Sequence, residues 1–447
     1  MLAGVSAIGS FSELREVPVG QSLFEKVRRN SLFSGTATYL LSNILNAAVP
    51  FALLPIMTRY LTTSQYGEIA MFQTLLPVMG SIAGISVVGA ASRKYYDFTL
   101  VLEEHKFFIG ACFQILAVSG ITSILIIVIF HGLLSKWTGL QSQWIVAACC
   151  SAVVAFAIQM RMGQWQVQKK AFNYGVMQVT QSVVNICLSL ILVVFFILGA
   201  PGRMLAQLIT SIIFSGIALT SLYKDKLLGF AWRPRYIDEA LRFGVPLIPH
   251  SVGLLVLSLF DRFLINTKLG LAEVGIYMVA VQLTSAMGLV FDAINNAYVP
   301  WLFERLKRDN ANEKQEIVRL TYWYFLIALS MAGVAFLVGP VAIRMIAGDR
   351  YAAAGQVIGW LALGQAFIGM YLMVTNYVFF SMKTGHLAMI TFGSGLLNVA
   401  LLFLMVSRWG IVGAAMASTL AMAARFLLTW YEAQQRHPMP WFNFNFV

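Results

Sequence analysis

Charge is scarce in this sequence. Asp, Glu, Lys and Arg make up 11% of its 447 residues, less than half the share of an ordinary soluble domain. The stretches 107–130, 171–202 and 351–382 contain none of the four. Cysteine is nearly as sparse. Cys112, Cys149, Cys150 and Cys187 lie in apolar runs without CxxC or other ligand spacing, which excludes a disulfide framework or thiolate cluster and leaves them as small hydrophobes. The five histidines form no HExxH pair, and neither a GxxxxGKS/T loop nor a GxSxG elbow occurs. No enzyme, no cofactor and no metal site is expected. Ten-residue alternation is missing, which excludes an outer-membrane barrel. The tail 1–30 lacks a cationic region ahead of an apolar core and is expected not to be a cleaved signal; within it, 21–30 reads as an amphipathic segment on the membrane surface.

What is present is hydrophobicity: 59% of residues and a mean hydropathy of +0.76. The uncharged runs each exceed the roughly 20 residues that cross a bilayer as a helix. The reading is an all-α polytopic membrane protein of about twelve spans. It divides into a tail (1–30), a six-helix bundle (31–225), a linker (226–241), a second six-helix bundle (242–432) and a C-terminal tail (433–447). Of the 31 Lys and Arg, 21 fall on the face that carries both tails, and seven, including Arg59, Arg203 and Arg350, on the opposite, sparse face. The excess places both termini in the cytoplasm. The net charge of +12 therefore speaks of membrane sidedness, not of nucleic acid.

The chain also repeats itself. LTTSQYGEIA at Leu61 aligns with LGLAEVGIYM at Leu269, which pairs Gly67 with Gly275. Asn185 aligns with Asn398, Gly199-Ala-Pro-Gly202 with Gly410-Ile-Val-Gly413, and Ala206 with Ala417, at offsets of 208 to 213. An even number of spans per copy makes the repeats parallel, as in transporters whose pathway runs between two halves.

Polar residues inside the spans mark that pathway. Span seven carries Asp261 and Arg262, with Ser258 and Asn266 on the Arg262 face. A mid-membrane charge costs roughly 2.5–3.5 kcal/mol on the mildest scale and ordinarily faces a bundle interior or a cavity. Adjacent residues do not face each other on a helix, so Asp261 is expected to answer an Arg on another helix. Span one offers Asn43 and Asn46, with Arg59 near its end. Span eight offers Gln282, Asp292 and Asn296. Arg161 in span four and Arg425 in span twelve stand between cavity and snorkelling roles. Pro50 and Pro55 in span one and Pro246 and Pro249 in span seven predict bends in the lead helix of each half, as static kinks or as hinges. Asp261 and Asp292 are candidates for ion coupling or for permanent neutralisation of an Arg.

Three stretches resemble one known family: LLPIMTRYLTTSQYGEIAMF (Leu53 to Phe72), FDRFLINTKLGLAEVGIYMVA (Phe260 to Ala280) and GIVGAAMASTLA (Gly410 to Ala421). They look like the matching pieces of bacterial polysaccharide-unit flippases of the O-antigen type, in the multidrug/oligosaccharidyl-lipid/polysaccharide exporter superfamily. The resemblance implies a V-shaped pair of bundles around a cationic central cavity. It also implies alternating access that moves a polyprenyl-pyrophosphate-linked oligosaccharide between leaflets of the bacterial inner membrane, for O-antigen, capsule or exopolysaccharide. A polymerase, a chain-length regulator and a coupling H+ or Na+ are the implied partners. Arg262, then Arg59 and Arg161, would meet the pyrophosphate. A cation-coupled multidrug exporter of the same superfamily and a non-transporting scaffold of polysaccharide assembly remain the alternatives.

Overall fold

A computed structural model describes residues 31–97, 102–381 and 385–441, and only the backbone at 31–41, 102–103, 247 and 249–258. The surface segment expected at 21–30 lies outside these residues, as do the side chains of Pro249 and Ser258. Among the described residues there is no strand. The first half contains α1 (Ser31–Tyr60), α2 (Thr63–Ala83), α3 (Val87–Lys94), α4 (Leu102–Thr138), α5 (Ser142–Val167), α6 (Ala171–Leu190), a π turn (Ile191–Phe195) and α7 (Ala200–Lys224). A short helix, α8 (Pro234–Gly244), leads into the second half: α9 (Leu247–Leu269), α10 (Leu271–Arg308), α11 (Ala311–Ala347), a 3-10 turn (Asp349–Ala354), α12 (Gly355–Phe380) and α13 (Gly385–Arg436).

Eight helices among the described residues are long and apolar enough to cross a bilayer, nine with α2 and α3 taken as one span bent by 58°. The bend follows from the backbone: Ile85 and Ser86 both take left-handed φ, 46° and 53°, and interrupt the helical ladder. α13 has 52 residues, about 78 Å at 1.5 Å per residue, enough for two crossings of a core of roughly 30 Å. It reverses at Gly410, where φ is 58° and ψ −138°. With α1 and α9, of 30 and 23 residues, the spans among the described residues number twelve. The fold is a polytopic membrane protein built of two six-helix bundles.

The repeats recur as geometry. Gly199, matched to Gly410 in sequence, has φ 62° and ψ −140°, the same glycine-favouring conformation. Asn185 and Asn398 are both buried, and Ala206 and Ala417 are both fully so. One apolar core runs through the junction of the halves and includes Leu54, Met71, Tyr277 and Tyr351. A second lies within the C-terminal half, a third joins the N-terminal half to Leu227, Tyr236 and Ala240 of the linker, and a smaller one lies within the N-terminal half.

The halves meet through α2 and α10. Inside lipid there is no hydrophobic drive to pair helices, so close approach depends on small residues and hydrogen bonds. Gly67 and Gly275 supply the small residues. A Cβ on Gly67 would stand 1.9 Å from the Leu271 carbonyl oxygen, and one on Gly275 2.0 Å from that of Thr63. α2 enters this contact from a capping box in which Thr62 Oγ1 accepts from the Gln65 amide and Gln65 Oε1 from the Thr62 amide.

The prolines divide differently from expectation. Pro50 and Pro55 do sit within α1. Pro246 is instead the N-cap of α9, and Pro249 is the third residue of that helix. An N–H lost in the first turn had no helical acceptor to lose. The lead span of the second half therefore begins at its prolines and is not bent by them.

Candidate substrate cavity between the halves

A cavity of about 90 Å³ lies between α1, α2 and α7 of one half and α10 of the other. Pro50, Tyr66, Gln73, Arg203, Met278 and Gln282 are among its lining residues. The floor is wired across the halves. Tyr66 Oη donates to Gln282 Oε1 at 2.7 Å, and Gln282 Nε2 donates to the Pro50 carbonyl. Pro50 and Pro55 leave carbonyls one turn earlier in α1 without helical donors, which loosens the helix beside the cavity.

Among the described residues, two guanidinium groups inside the spans have only neutral hydrogen-bond partners. Arg262 Nη1 donates across the junction to Thr74 Oγ1 at 3.1 Å, while its Nε is buried without a partner. Arg203 Nη1 donates to Asn185 Oδ1 at 2.6 Å and to Ser189 Oγ at 3.0 Å. Asn185 in turn donates from Nδ2 to Gln207 Oε1 at 3.0 Å. Sequence counting assigned Arg203 to a sparse-face loop. Its Cα does lie in the first turn of α7, but the side chain runs back into the bundle. The available signal was Asn185 and Ser189, spaced i and i+4 in the last turns of α6, the helix that precedes Arg203 in the chain.

The other candidates fall in several places. Among the described residues Asp261 has no Arg partner on another helix, contrary to expectation: Oδ2 accepts from Tyr277 Oη at 3.0 Å, and Oδ1 from the Arg262 backbone amide at 2.8 Å. Tyr277 lies on α10, where an aromatic residue gave no sign of that role. Arg161 is 2% exposed within the N-terminal bundle. It pairs with Asp225 and stacks on Trp165 with its guanidinium carbon 4.3 Å from the ring centre, so it neither lines the cavity nor snorkels. Arg425 lies 4.0 Å over the Tyr371 ring in the other bundle. Asn43 and Asn46 accept from Gln178 and Ser182 and tie α1 to α6. Arg59, Asp292 and Asn296 are exposed.

Further hydrogen bonds between the halves lie at the sparse face. Asn266 Nδ2 donates to the Trp137 carbonyl at 2.9 Å. Arg350 Nη1 donates to the Leu61 carbonyl at 2.9 Å, and Tyr351 Oη reaches the carbonyls of Leu61 and Thr62 at 3.2 and 3.1 Å. The Gly67–Gly275 contact closes the same end. The halves are thus latched beyond the cavity on the sparse-face side.

Residues 32–306 match the family of polysaccharide biosynthesis proteins. The chain belongs to that family. It is similar to an uncharacterized membrane protein of Haemophilus influenzae, 25% identical over 80% of this chain and 86% of the relative. It is also similar to a Shigella flexneri protein described as "Putative O-antigen transporter", 23% identical over 58% of this chain and 62% of that one. Among solved structures, a lipid II flippase MurJ in an inward closed conformation aligns with a TM-score of 0.71 at 16% identity, over 90% of this chain and 87% of that chain. An inward-facing multidrug resistance MATE family transporter of the MOP superfamily aligns at 0.65 and 15% identity, over 87% and 95%. The family member described here has the two-bundle helical fold of those structures.

Proposed function

We propose that this protein is a flippase that carries a polyprenyl-pyrophosphate-linked oligosaccharide from the inner to the outer leaflet of a bacterial cytoplasmic membrane. The observation that carries the reading is Arg262, an intramembrane guanidinium at the junction of the halves that has a hydroxyl partner and no carboxylate partner among the described residues. Guanidinium groups bind phosphate oxygens through paired N–H donors, and a pyrophosphate cannot cross hydrocarbon unaided. Lys and Arg bias puts the tail face in the cytoplasm. A latch at the sparse face then corresponds to an inward-facing state, and alternating access follows by transferring closure to the tail face. The two halves, 31–225 and 242–432, are the moving bodies in this reading, joined by the linker 226–241. A polysaccharide polymerase and a chain-length regulator would receive the unit.

Deletion of the gene should cause inner-leaflet lipid-linked oligosaccharide to accumulate. Wild type should clear it, and Arg262→Ala, inserted at normal yield, should not. Clearance by the Ala variant would remove Arg262 from the mechanism. Absence of accumulation would remove the flippase reading.

Asp261 supports a second reading. A carboxylate held by Tyr277, without an Arg, suits a cation-coupled multidrug exporter. Efflux of an organic cation that depends on Asp261, with no accumulated lipid-linked sugar in the deletion strain, would decide for it.

A further inference from the structure

The cavity on the sparse-face side has one charged residue among its described lining residues, Arg203, and no carboxylate. Arg203 is awkwardly placed for a purely structural cation. It sits in the first turn of α7, where the aligned peptide dipoles are positive and disfavour another positive charge. It is also half-buried, although it lies close enough to the helix end for a flexible side chain to leave the bundle. Only Nη1 is used, bonding Asn185 and Ser189. A neutral Gln could bridge those two groups without the cost of a desolvated charge. Nε and Nη2 bond to no other described residue. Arg203 keeps partial exposure, unlike Arg161, which is 2% exposed. The cavity itself has room for several waters or for one small oxyanion. Tyr66, Gln73 and Gln282 add neutral polar groups from both halves around it.

We infer that Arg203 is an oxyanion-binding residue of the translocation pathway, placed on the sparse-face side of Arg262 and contacting the phosphate or an acidic sugar of the cargo through Nε and Nη2. The inference rests on the flippase reading and extends it: the cargo's negative charge meets two guanidinium stations in succession, one contributed by each half. Thr74, the partner of Arg262, lies eight residues along α2 from Tyr66, about 12 Å at helical rise. A single phosphate does not span that distance, so the stations act in turn. Asn185 and Ser189 are positioning residues that hold one edge of the Arg203 fork and leave the other edge toward the cavity.

The test uses the full chain in lipid nanodiscs with three probes: farnesyl pyrophosphate, glucuronate and neutral farnesol. Wild type should bind at least one anionic probe in preference to farnesol. Arg203→Gln, which keeps the bridge to Asn185 but loses the charge, should weaken that binding about tenfold or more, with Arg203→Lys recovering part of it. Asn185→Ala, which loosens one edge of the fork without removing the charge, should weaken that binding less than Arg203→Gln does; a structural clamp alone would make both variants equally unstable and leave affinity unchanged. The probe whose affinity falls in Arg203→Gln identifies the source of the oxyanion, head group or sugar. Should the Gln variant fail to fold, phenylglyoxal modification of wild-type Arg203, read by peptide mass spectrometry, should slow severalfold with the anionic probe bound. Equal affinity in Arg203→Gln, or equal Arg203 modification with and without probe, overturns the inference and leaves the flippase reading standing. Wild type that binds neither anion better than farnesol overturns both.

Discussion

Gly67 and Gly275, 208 positions apart in the chain, pack into one another's helical turn. Each would place a Cβ within about 2 Å of a carbonyl oxygen, of Leu271 and Thr63 respectively. Those two carbonyl residues are themselves 208 apart. The contact is thus reciprocal in the manner of a two-fold interface, formed within one chain by a duplicated segment.

Neither glycine tolerates a methyl group unless the backbones separate. Gly67→Ala and Gly275→Ala should each open the sparse-face end. Labelling of a single cysteine introduced beneath the junction should become several times faster from that side, and export should fall about tenfold or more. Unchanged labelling in both variants would show that the junction does not hold the closed state.

Arg350 and Tyr351 latch the same end through carbonyls at the start of α2. A net hydrogen bond contributes about 0.5–1.5 kcal/mol, more when one partner is charged. The Arg350→Ala, Tyr351→Phe pair should therefore move the closed–open balance about tenfold toward open. Distance measurement between spin labels on the 61–62 and 348–350 turns reads the shift directly. A distance distribution like that of wild type would assign the latch elsewhere.

Arg161 and Asp225 make a different prediction, because this pair holds the N-terminal bundle together and does not contact the cavity. Asp225→Asn strands a guanidinium whose Nε and Nη1 already lack partners. It should cost about 2–3 kcal/mol, at or below the low end for breaking a buried pair because the Asp225 side chain is 39% exposed. Arg161→Met removes the charge and fills the space, and should stay within about 1 kcal/mol of wild type. Thermal unfolding separates the two. Anionic-probe affinity should be the same in both, and a loss of affinity in Arg161→Met would return Arg161 to the pathway.

Asp261→Asn should fold. Its neighbours are a backbone amide on Oδ1 and a tyrosine hydroxyl on Oδ2; an Asn oxygen still accepts from the amide, while Nδ2 donates to the Tyr277 hydroxyl oxygen, and no buried cation is stranded. Yield and melting temperature near wild type are the expected outcome, with Tyr277→Phe similar. A transport rate that no longer responds to an imposed proton gradient in the Asn variant would make Asp261 the coupling group. Collapse of the yield would reveal a cation partner that alternates in from the other state.

Much of the fold was legible because the bilayer imposes its rules on sequence directly: uncharged runs announced the spans, and the glycine turns announced the duplication. Side-chain partnerships inside the bundles were not legible to the same degree. Arg161 finds Asp225 sixty-four positions away, beyond any helical periodicity. Arg203 lay where a loop cation was expected because span counting places Cα atoms, whereas an arginine reaches past a helix end. Asn43 and Asn46 gave the right face of α1 but not its occupant, since a polar stripe marks a neighbouring helix as readily as a cavity. Pro249 was misleading for a local reason: its effect depends on whether the helix began before or after it.

The two copies do not match throughout, and the mismatch has an address. Matching positions stand 213 apart at Asn185 and Asn398 but 211 apart at Gly199 and Gly410. The earlier copy holds two additional residues there, taken up by the wider π coil at Ile191–Phe195 and by Ile197 at φ 52°. Beyond this interval the alignment resumes, with Ala414 at the place corresponding to Arg203. Asn185 steers that arginine, whereas the Asn398 side-chain oxygen is buried without a partner. A cargo moving along the pathway would meet walls of shared ancestry and unlike chemistry, which gives the passage a handedness that does not depend on any gradient across the bilayer.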